Sequence, residues 1–149
     1  MSLFQLLYQS RALVPFEPAD LLALLRQSRA HNRAHGITGL LLLTPDGRFV
    51  QLLEGPREAV RELYYHRIVP DPRHFSCNII SEGPCLERCF ADWHMAFRPA
   101  QAAALRHLLA PVPPVPHAAL RLPRPHSHAE LLALLLDFMT AAEPVPGLE

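Results

Sequence analysis

Two apolar runs constrain this chain more than any other feature. They are "ITGLLLLT" at 37–44 and "RFVQLLEG" at 48–55. Runs of this length and composition read as strands. "TPDGR" lies between them, and Asp46-Gly47 is a dipeptide that tight hairpin turns favour because glycine takes positive φ at no steric cost. The pair therefore predicts an antiparallel hairpin. Within "FVQLLEG" the side chains alternate faces, so Gln51 points the same way as Phe49 and Leu53. A primary amide on an apolar face costs about 1–3 kcal/mol if it finds no partner. Gln51 needs one.

The rest of the chain fits around this hairpin. "LFQLLYQS" (3–10) reads as a strand with Phe4, Leu6 and Tyr8 on one face. "EPADLLALLRQSRAHNRAHG" (17–36) reads as a helix, with Pro18 in its first turn, Asp20 at its positive end and Gly36 as its stop. Leu21, Leu24, Leu25 and Ser28 form its inward stripe. Pro56 opens a second helix with Val60, Leu63, Tyr64 and Ile68 inward, and Pro70 and Pro72 stop it. "FSCNIISEG" (75–83) and "ERCFADWHMAFRP" (87–99) read as two more strands, with Trp93 and Met95 on one face. A short helix is expected within 100–110. Ser127 and Glu130 have capping-box spacing ahead of an apolar helix at 128–142.

The order β-α-β-β-α-β-β predicts an α+β, ferredoxin-like mixed sheet with two helices on one face. The C-terminal helices, or another subunit, are expected to cap the other face. The predicted organisation is a domain over 1–98 and a C-terminal extension over 99–149. The extension contains a proline-rich stretch, 111–125, expected to be extended and irregular because proline fixes φ and removes donors.

Composition excludes several classes. The net charge is zero, so no electrostatic footprint for nucleic acid is present. No apolar run reaches the roughly 18 residues of a membrane span, and the N-terminus lacks signal-peptide features. Cys77, Cys85 and Cys89 lack paired-ligand spacing, so no metal site or disulfide framework is expected. "HSH" at 126–128 reads as a solvated loop. A cytoplasmic location is expected.

Several polar residues lie near the expected sheet: Tyr8, His31, Asn32, Gln51, Arg67 and Asp71. Each also has an ordinary structural reading. Tyr8 fits a core tyrosine with its hydroxyl at the rim, Asn32 a helix end, and Arg67 with Asp71 a helix-surface ion pair. Trp93 and Met95 fit a core. Gln51 is the hardest to read this way. No Gly-x-Gly-x-x-Gly or Walker loop is present to cradle phosphates.

Taken together, "YQS" at 8–10, "HN" at 31–32, "GITGLLL" at 36–42, "FVQLLEG", "RIVPDPRH" at 67–74 and "FADWHM" at 90–95 resemble the BLUF family, sensors of blue light using flavin. The resemblance covers about residues 1–98. It implies non-covalent FAD between the two helices, with Tyr8, His31, Asn32, Gln51, Arg67 and Asp71 as its contacts. Tyr8 resembles the redox-active tyrosine, and Gln51 the amide between it and the flavin N5/O4 edge. Trp93 and Met95 match a mobile, signal-relaying strand.

Two departures stand out. The second helix carries one extra residue before Arg67, which rotates later positions by about 100° unless a bulge absorbs it. His94 replaces a small residue and is expected on the opposite sheet face, towards the C-terminal cap. The resemblance implies a sensor rather than an enzyme, with no output domain and with output through an unidentified protein partner or changed assembly, and a homo-oligomer. A flavin-free, ferredoxin-like interaction module is the alternative. An acylphosphatase-like enzyme lacks its anion-cradling loop here, and a flavin enzyme lacks any sign of a nicotinamide or substrate site.

Overall fold

The computed structural model describes residues 2–112, 123–141 and 148. The elements are β1 (Leu3–Ala12), α1 (Pro18–His35), β2 (Thr38–Leu43), β3 (Arg48–Pro56), α2 (Arg57–Leu63), β4 (His74–Cys85), β5 (Ala96–Pro99), α3 (Ala102–Leu109) and α4 (His128–Ala141). The strands form one sheet in the order β4-β1-β3-β2-β5. β2 and β3 are the expected hairpin, and Gly47 takes φ 86° in its turn.

β1 runs antiparallel to both β3 and β4, while β2 pairs antiparallel with β3 and parallel with β5. Thus β1 and β2 run the same way with β3 between them, and β3 and β4 the same way with β1 between them. Each parallel pair needs a crossover, supplied by α1 and by α2 respectively. This is the predicted ferredoxin-like α+β arrangement, with β5 added at one edge.

Both crossover helices pack on one face. Leu21 and Leu25 of α1, with Val60, Leu63 and Tyr64, join Phe4, Leu6, Tyr8, Leu41, Phe49 and Leu53 in one core. Asp20 accepts the Glu17 backbone N–H at 3.0 Å at the start of α1, and Gly36 ends it at φ 68°. The other face, with Leu7, Leu40, Leu42, Val50 and Leu52, is covered by Leu105, Leu108, Leu131 and Leu135 of the C-terminal helices. Each leucine fully buried this way contributes about 1.5–3 kcal/mol. The chain's own helices therefore supply this cap.

The capping box forms as expected: Glu130 accepts the Ser127 N–H at 2.9 Å, and Ser127 Oγ accepts the Glu130 N–H at 3.2 Å. His128 is not the solvated loop residue expected from "HSH". Its ring bonds Gln5 Oε1 at 2.9 Å and Ser81 Oγ at 2.7 Å, tying the start of α4 to the sheet. Most of the proline-rich stretch, 113–122, lies outside the described residues, as does 142, the last residue of the expected helix.

The last strand is shorter than its sequence pattern. Only Ala96–Pro99 joins the sheet, while residues 86–95 turn outside the ladder. Gly39, on β2, has no room for a side chain against β3. A Cβ there would lie 1.9 Å from the Leu52 carbonyl oxygen and 3.4 Å from Met95 Cε. Gly83, by contrast, has open space at its Cβ position. Gly39→Ala should therefore lower stability by at least about 1–3 kcal/mol, the usual cost of overpacking. Gly83→Ala should leave it nearly unchanged, as read by urea denaturation of both variants.

Candidate functional site

Tyr8 on β1 and Gln51 on β3 sit directly opposite one another in the antiparallel register. Both are nearly inaccessible to solvent. The Tyr8 hydroxyl donates to Gln51 Oε1. At the other end of the amide, Gln51 Nε2 donates to Met95 Sδ at 3.3 Å. A thioether sulfur accepts but cannot donate. An amide turned the other way would set its carbonyl against that sulfur, acceptor against acceptor. The Gln51 carbonyl thus faces Tyr8 and its amino group faces Met95.

Helix α1 holds the segment that carries Met95. Asn32 Nδ2 donates to the His94 carbonyl at 2.6 Å, and Arg29 Nε donates to the Met95 carbonyl at 3.0 Å. From the β2 side, the Gly39 N–H donates to the Trp93 carbonyl at 3.0 Å. Glu54, fully buried in "FVQLLEG", holds the start of the same segment by accepting the backbone N–H groups of Cys89 and Phe90 at 2.9 and 2.6 Å. It also accepts from Gln5 Nε2 and Thr38 Oγ1, both at 3.0 Å. Sequence reasoning assigned no role to Glu54 or Arg29. The Glu54 carboxylate within an apolar strand was the available signal.

Beside Gln51, α1, the end of α2 and the sheet form a cleft with a cavity volume of about 80 Å³ that is continuous with solvent. Phe16, Leu24, Leu41, Phe49, Leu63 and Ile68 form its apolar walls, and Tyr8, Asn32, Gln51, Asp71 and Arg73 are among its polar groups. Such a lining suits a flat, largely apolar ring with a polar edge. The asparagine and glutamine amides, a carboxylate and a guanidinium provide both acceptors and donors, matching the N–H and carbonyl groups of a flavin's pyrimidine side.

The second helix ends in a single π-helical turn over Tyr64–Ile68, in which the Val69 N–H donates to the Tyr64 carbonyl at 2.9 Å, the kind of bulge expected if this helix carries one extra residue. One wider turn takes up one residue. Ile68 and Asp71 lie on the cleft wall, but Arg67 does not: it is exposed and lines no part of the cleft. Arg73 is there instead. Its guanidinium grips the Asp71 carboxylate, with Nη2 at 2.6 Å from Oδ2, and holds that carboxyl below its usual range.

His31 also lies outside the cleft lining. It stacks on His35 with ring centroids 4.1 Å apart. Burial lowers its pKa, with further lowering from His35 and Arg67. The expectation that Trp93 and Met95 share a face is corrected here. Met95 is buried, whereas Trp93 is 36% exposed with the Arg98 guanidinium over its ring. Strand alternation does not hold where the backbone has left the ladder. His94, expected towards the C-terminal cap, instead bonds the Ile37 carbonyl through Nδ1 at 3.0 Å.

Burial pushes the Tyr8 phenol well above its ordinary pKa, reinforced by Cys77, Tyr64 and Asp71. Tyr8 is thus a neutral phenol at any physiological pH, and it can lose an electron readily only if its proton leaves too. The hydroxyl proton is directed at the Gln51 carbonyl.

The sequence pattern described as "Sensors of blue-light using FAD" matches residues 3–96. Over 115 residues, 76% of this chain, the identity to "Photoactivated adenylate cyclase subunit beta" of Euglena gracilis is 37%, but the chain spans only 12% of that protein. Among solved structures, "BlrB - a BLUF protein, dark state structure" is 35% identical with a TM-score of 0.67, covering 94% of this chain and 96% of that one. Klebsiella pneumoniae BlrP1 with FMN and cyclic diGMP is 34% identical with a TM-score of 0.58, covering 64% of this chain and 25% of that one.

The phenol pKa values carry a stability signature. A phenol raised above its unfolded value favours the fold fully below pH ~10, and that contribution is lost as pH rises through the folded value. Tyr8→Phe should therefore make the alkaline limb of the stability–pH curve shallower, as followed by circular dichroism. Phenolate absorbance of the folded protein should show no ionisation of Tyr8, while Tyr64, pushed up to about 12, titrates late.

Proposed function

The chain belongs to the BLUF family of blue-light flavin sensors, and from that premise we propose that Tyr8 and Gln51 are its photoactive pair and Met95 the first element of its signal relay. The observation that carries this reading is the continuous line from the Tyr8 hydroxyl through the Gln51 amide to Met95 Sδ. The family match defines a sensor rather than an enzyme, and the 12% coverage of the cyclase subunit carries no cyclase activity over to this chain.

Asn32, Gln51 and Asp71 are the proposed contacts of the flavin's polar edge, supported by their shared place on the cleft wall. His31 and Arg67 are proposed as outer contacts that need side-chain movement to reach it. FAD is the proposed flavin because the family's description names it. Bound in the cleft, a flavin supplies blue-light absorption and, once excited, a strong one-electron oxidant.

Tyr8 gives up its electron and proton together, because its buried phenol does not ionise first, and later takes both back. Gln51 is left rotated, tautomerised or both. A rotated Gln51 turns its carbonyl towards Met95 Sδ and loses that hydrogen bond. One such bond is worth about 0.5–1.5 kcal/mol net. That is enough to bias a two-state element whose gap is a few kcal/mol. The element proposed is the 93–95 segment with β5. Output then runs through protein partners or a changed homo-oligomer, and the proposed location is cytoplasmic. No helix among the described residues is long and apolar enough to cross a membrane.

The test is an absorption spectrum before and after blue light. The flavin-loaded protein should show a small, reversible red shift. Tyr8→Phe and Gln51→Leu should both stay yellow and show no such shift. A normal shift in Tyr8→Phe overturns the mechanism, and a purified protein that holds no flavin and takes up no added FAD overturns the assignment.

A further inference from the structure

The ends of β1, β3 and β4 carry a second pocket, lined by Gln9, Ser10, Arg11, Arg48, Ser76 and Asn78. Gln9 and Arg11 alternate with Tyr8 and Ser10 along β1, and Arg48 alternates with Phe49 along β3, so these three side chains point away from the cleft. The cavity volume is about 190 Å³, open to solvent and several times the ~30 Å³ that one water occupies in the liquid. Every lining residue is polar, two are arginines and none is acidic. The capping helices α3 and α4 contribute nothing to it.

Two features of this pocket work against the stability of the sheet. Arg11 and Arg48 face each other directly in the β1–β3 register, and like charges in that position are destabilising. Neither guanidinium has an ion pair or hydrogen bond with another described residue. Asp46, in the adjacent turn, is held below the usual carboxylate range first by its bond from Thr44 Oγ1 and only then by Arg48 and Arg11, with which it makes no ion pair. The second feature is a break in the β1–β4 ladder. Gln9 pairs with Asn78 and Arg11 with Phe75, so Ser76 and Cys77 bulge opposite Ser10. Ser76 takes φ 56°, the one positive φ outside glycine among the described residues. Strain of this kind gathers at ligand sites. Asn78 Nδ2 donates to the Ser76 carbonyl at 3.1 Å and holds the bulge with one of its two amide N–H groups.

We propose that this pocket binds a phosphate group, as free phosphate or as the phosphomonoester of a small metabolite. Each planar guanidinium offers paired N–H donors that fit two oxygens of one anion. A carboxylate has two oxygens and fills one such fork. A phosphomonoester has three terminal oxygens and a charge of about −1.5 to −2 at neutral pH, so it takes both forks and neutralises both cations. The Gln9 and Asn78 amides and the Ser76 hydroxyl supply further donors around it. The bound anion removes the repulsion between Arg11 and Arg48, so binding also stabilises the fold.

Titration of the flavin-loaded protein in phosphate-free buffer at constant ionic strength tests the proposal. Inorganic phosphate and glycerol 2-phosphate are added separately, with chloride as the control, and backbone amide shifts are followed by NMR. Saturable shifts are expected at Gln9, Arg11, Arg48 and Ser76. Arg11→Gln and Arg48→Gln should each weaken binding at least about tenfold, the loss expected for charge-assisted hydrogen bonds, and the double variant should abolish it. Arg57→Gln, on α2, should not weaken it. Amide shifts outside the pocket report that each variant is folded. Without phosphate, Arg48→Gln should melt at a higher temperature than the unmodified protein, and saturating phosphate should reverse that order. Tighter binding of glycerol 2-phosphate than of phosphate identifies a phosphorylated metabolite as the ligand; equal or weaker binding identifies free phosphate. Shifts confined to the cleft, shifts that chloride reproduces, or binding undiminished in the double variant overturns the proposal.

Discussion

The hydrogen bond from Tyr8 to Gln51 is the contact around which the rest of the structure is arranged. It is short-range in space and joins residues far apart in sequence, so it depends on the register of β1 against β3. A one-residue slip of either strand would leave the two side chains on opposite faces of the sheet. Alternating leucines on the two central strands oppose such a slip, because it would also exchange the contents of the two cores. The apolar packing of the sheet is thus what aligns a phenol with an amide.

The second constraint is the way the 86–95 segment is tied down. It lies outside the ladder, so its backbone polar groups need other partners. Glu54, Gly39, Asn32 and Arg29 provide them. Met95 is held inward by these bonds and by its contact with Gln51, while Trp93 stays outside. A segment anchored by separate polar bonds can rearrange more easily than a central strand, whose motion would break a continuous ladder and a packed core. This makes it a physically reasonable place for a local amide change to become a change of shape.

Much of this was legible in the chain itself. The Asp46-Gly47 turn, the helix stop at Gly36 and the capping box at Ser127 depend on neighbours a few residues apart, and all form as expected. Gln51 announced its need for a partner by being polar on an apolar face. Other features were hidden. "FADWHMAFRP" alternates like a strand over its whole length, yet only its last four residues pair, because pairing needs a neighbour and not only a pattern. Arg73 was masked by its place after a helix-stopping proline, and a π turn has no pattern of its own in the sequence.

The sequence by itself determined the alternation of strands and helices, and with it the ferredoxin-like fold and the family. The fold follows from local periodicity and turn chemistry, and the family from the joint resemblance of its motifs. Only the tertiary structure decided that Met95 rather than Trp93 meets Gln51, that Arg73 rather than Arg67 stands at the cleft, and that the chain's own helices close the second face. Each of these is a choice between partners distant in sequence. Geometry settles such choices, because such partners meet only where the packing of helices and sheet brings them together.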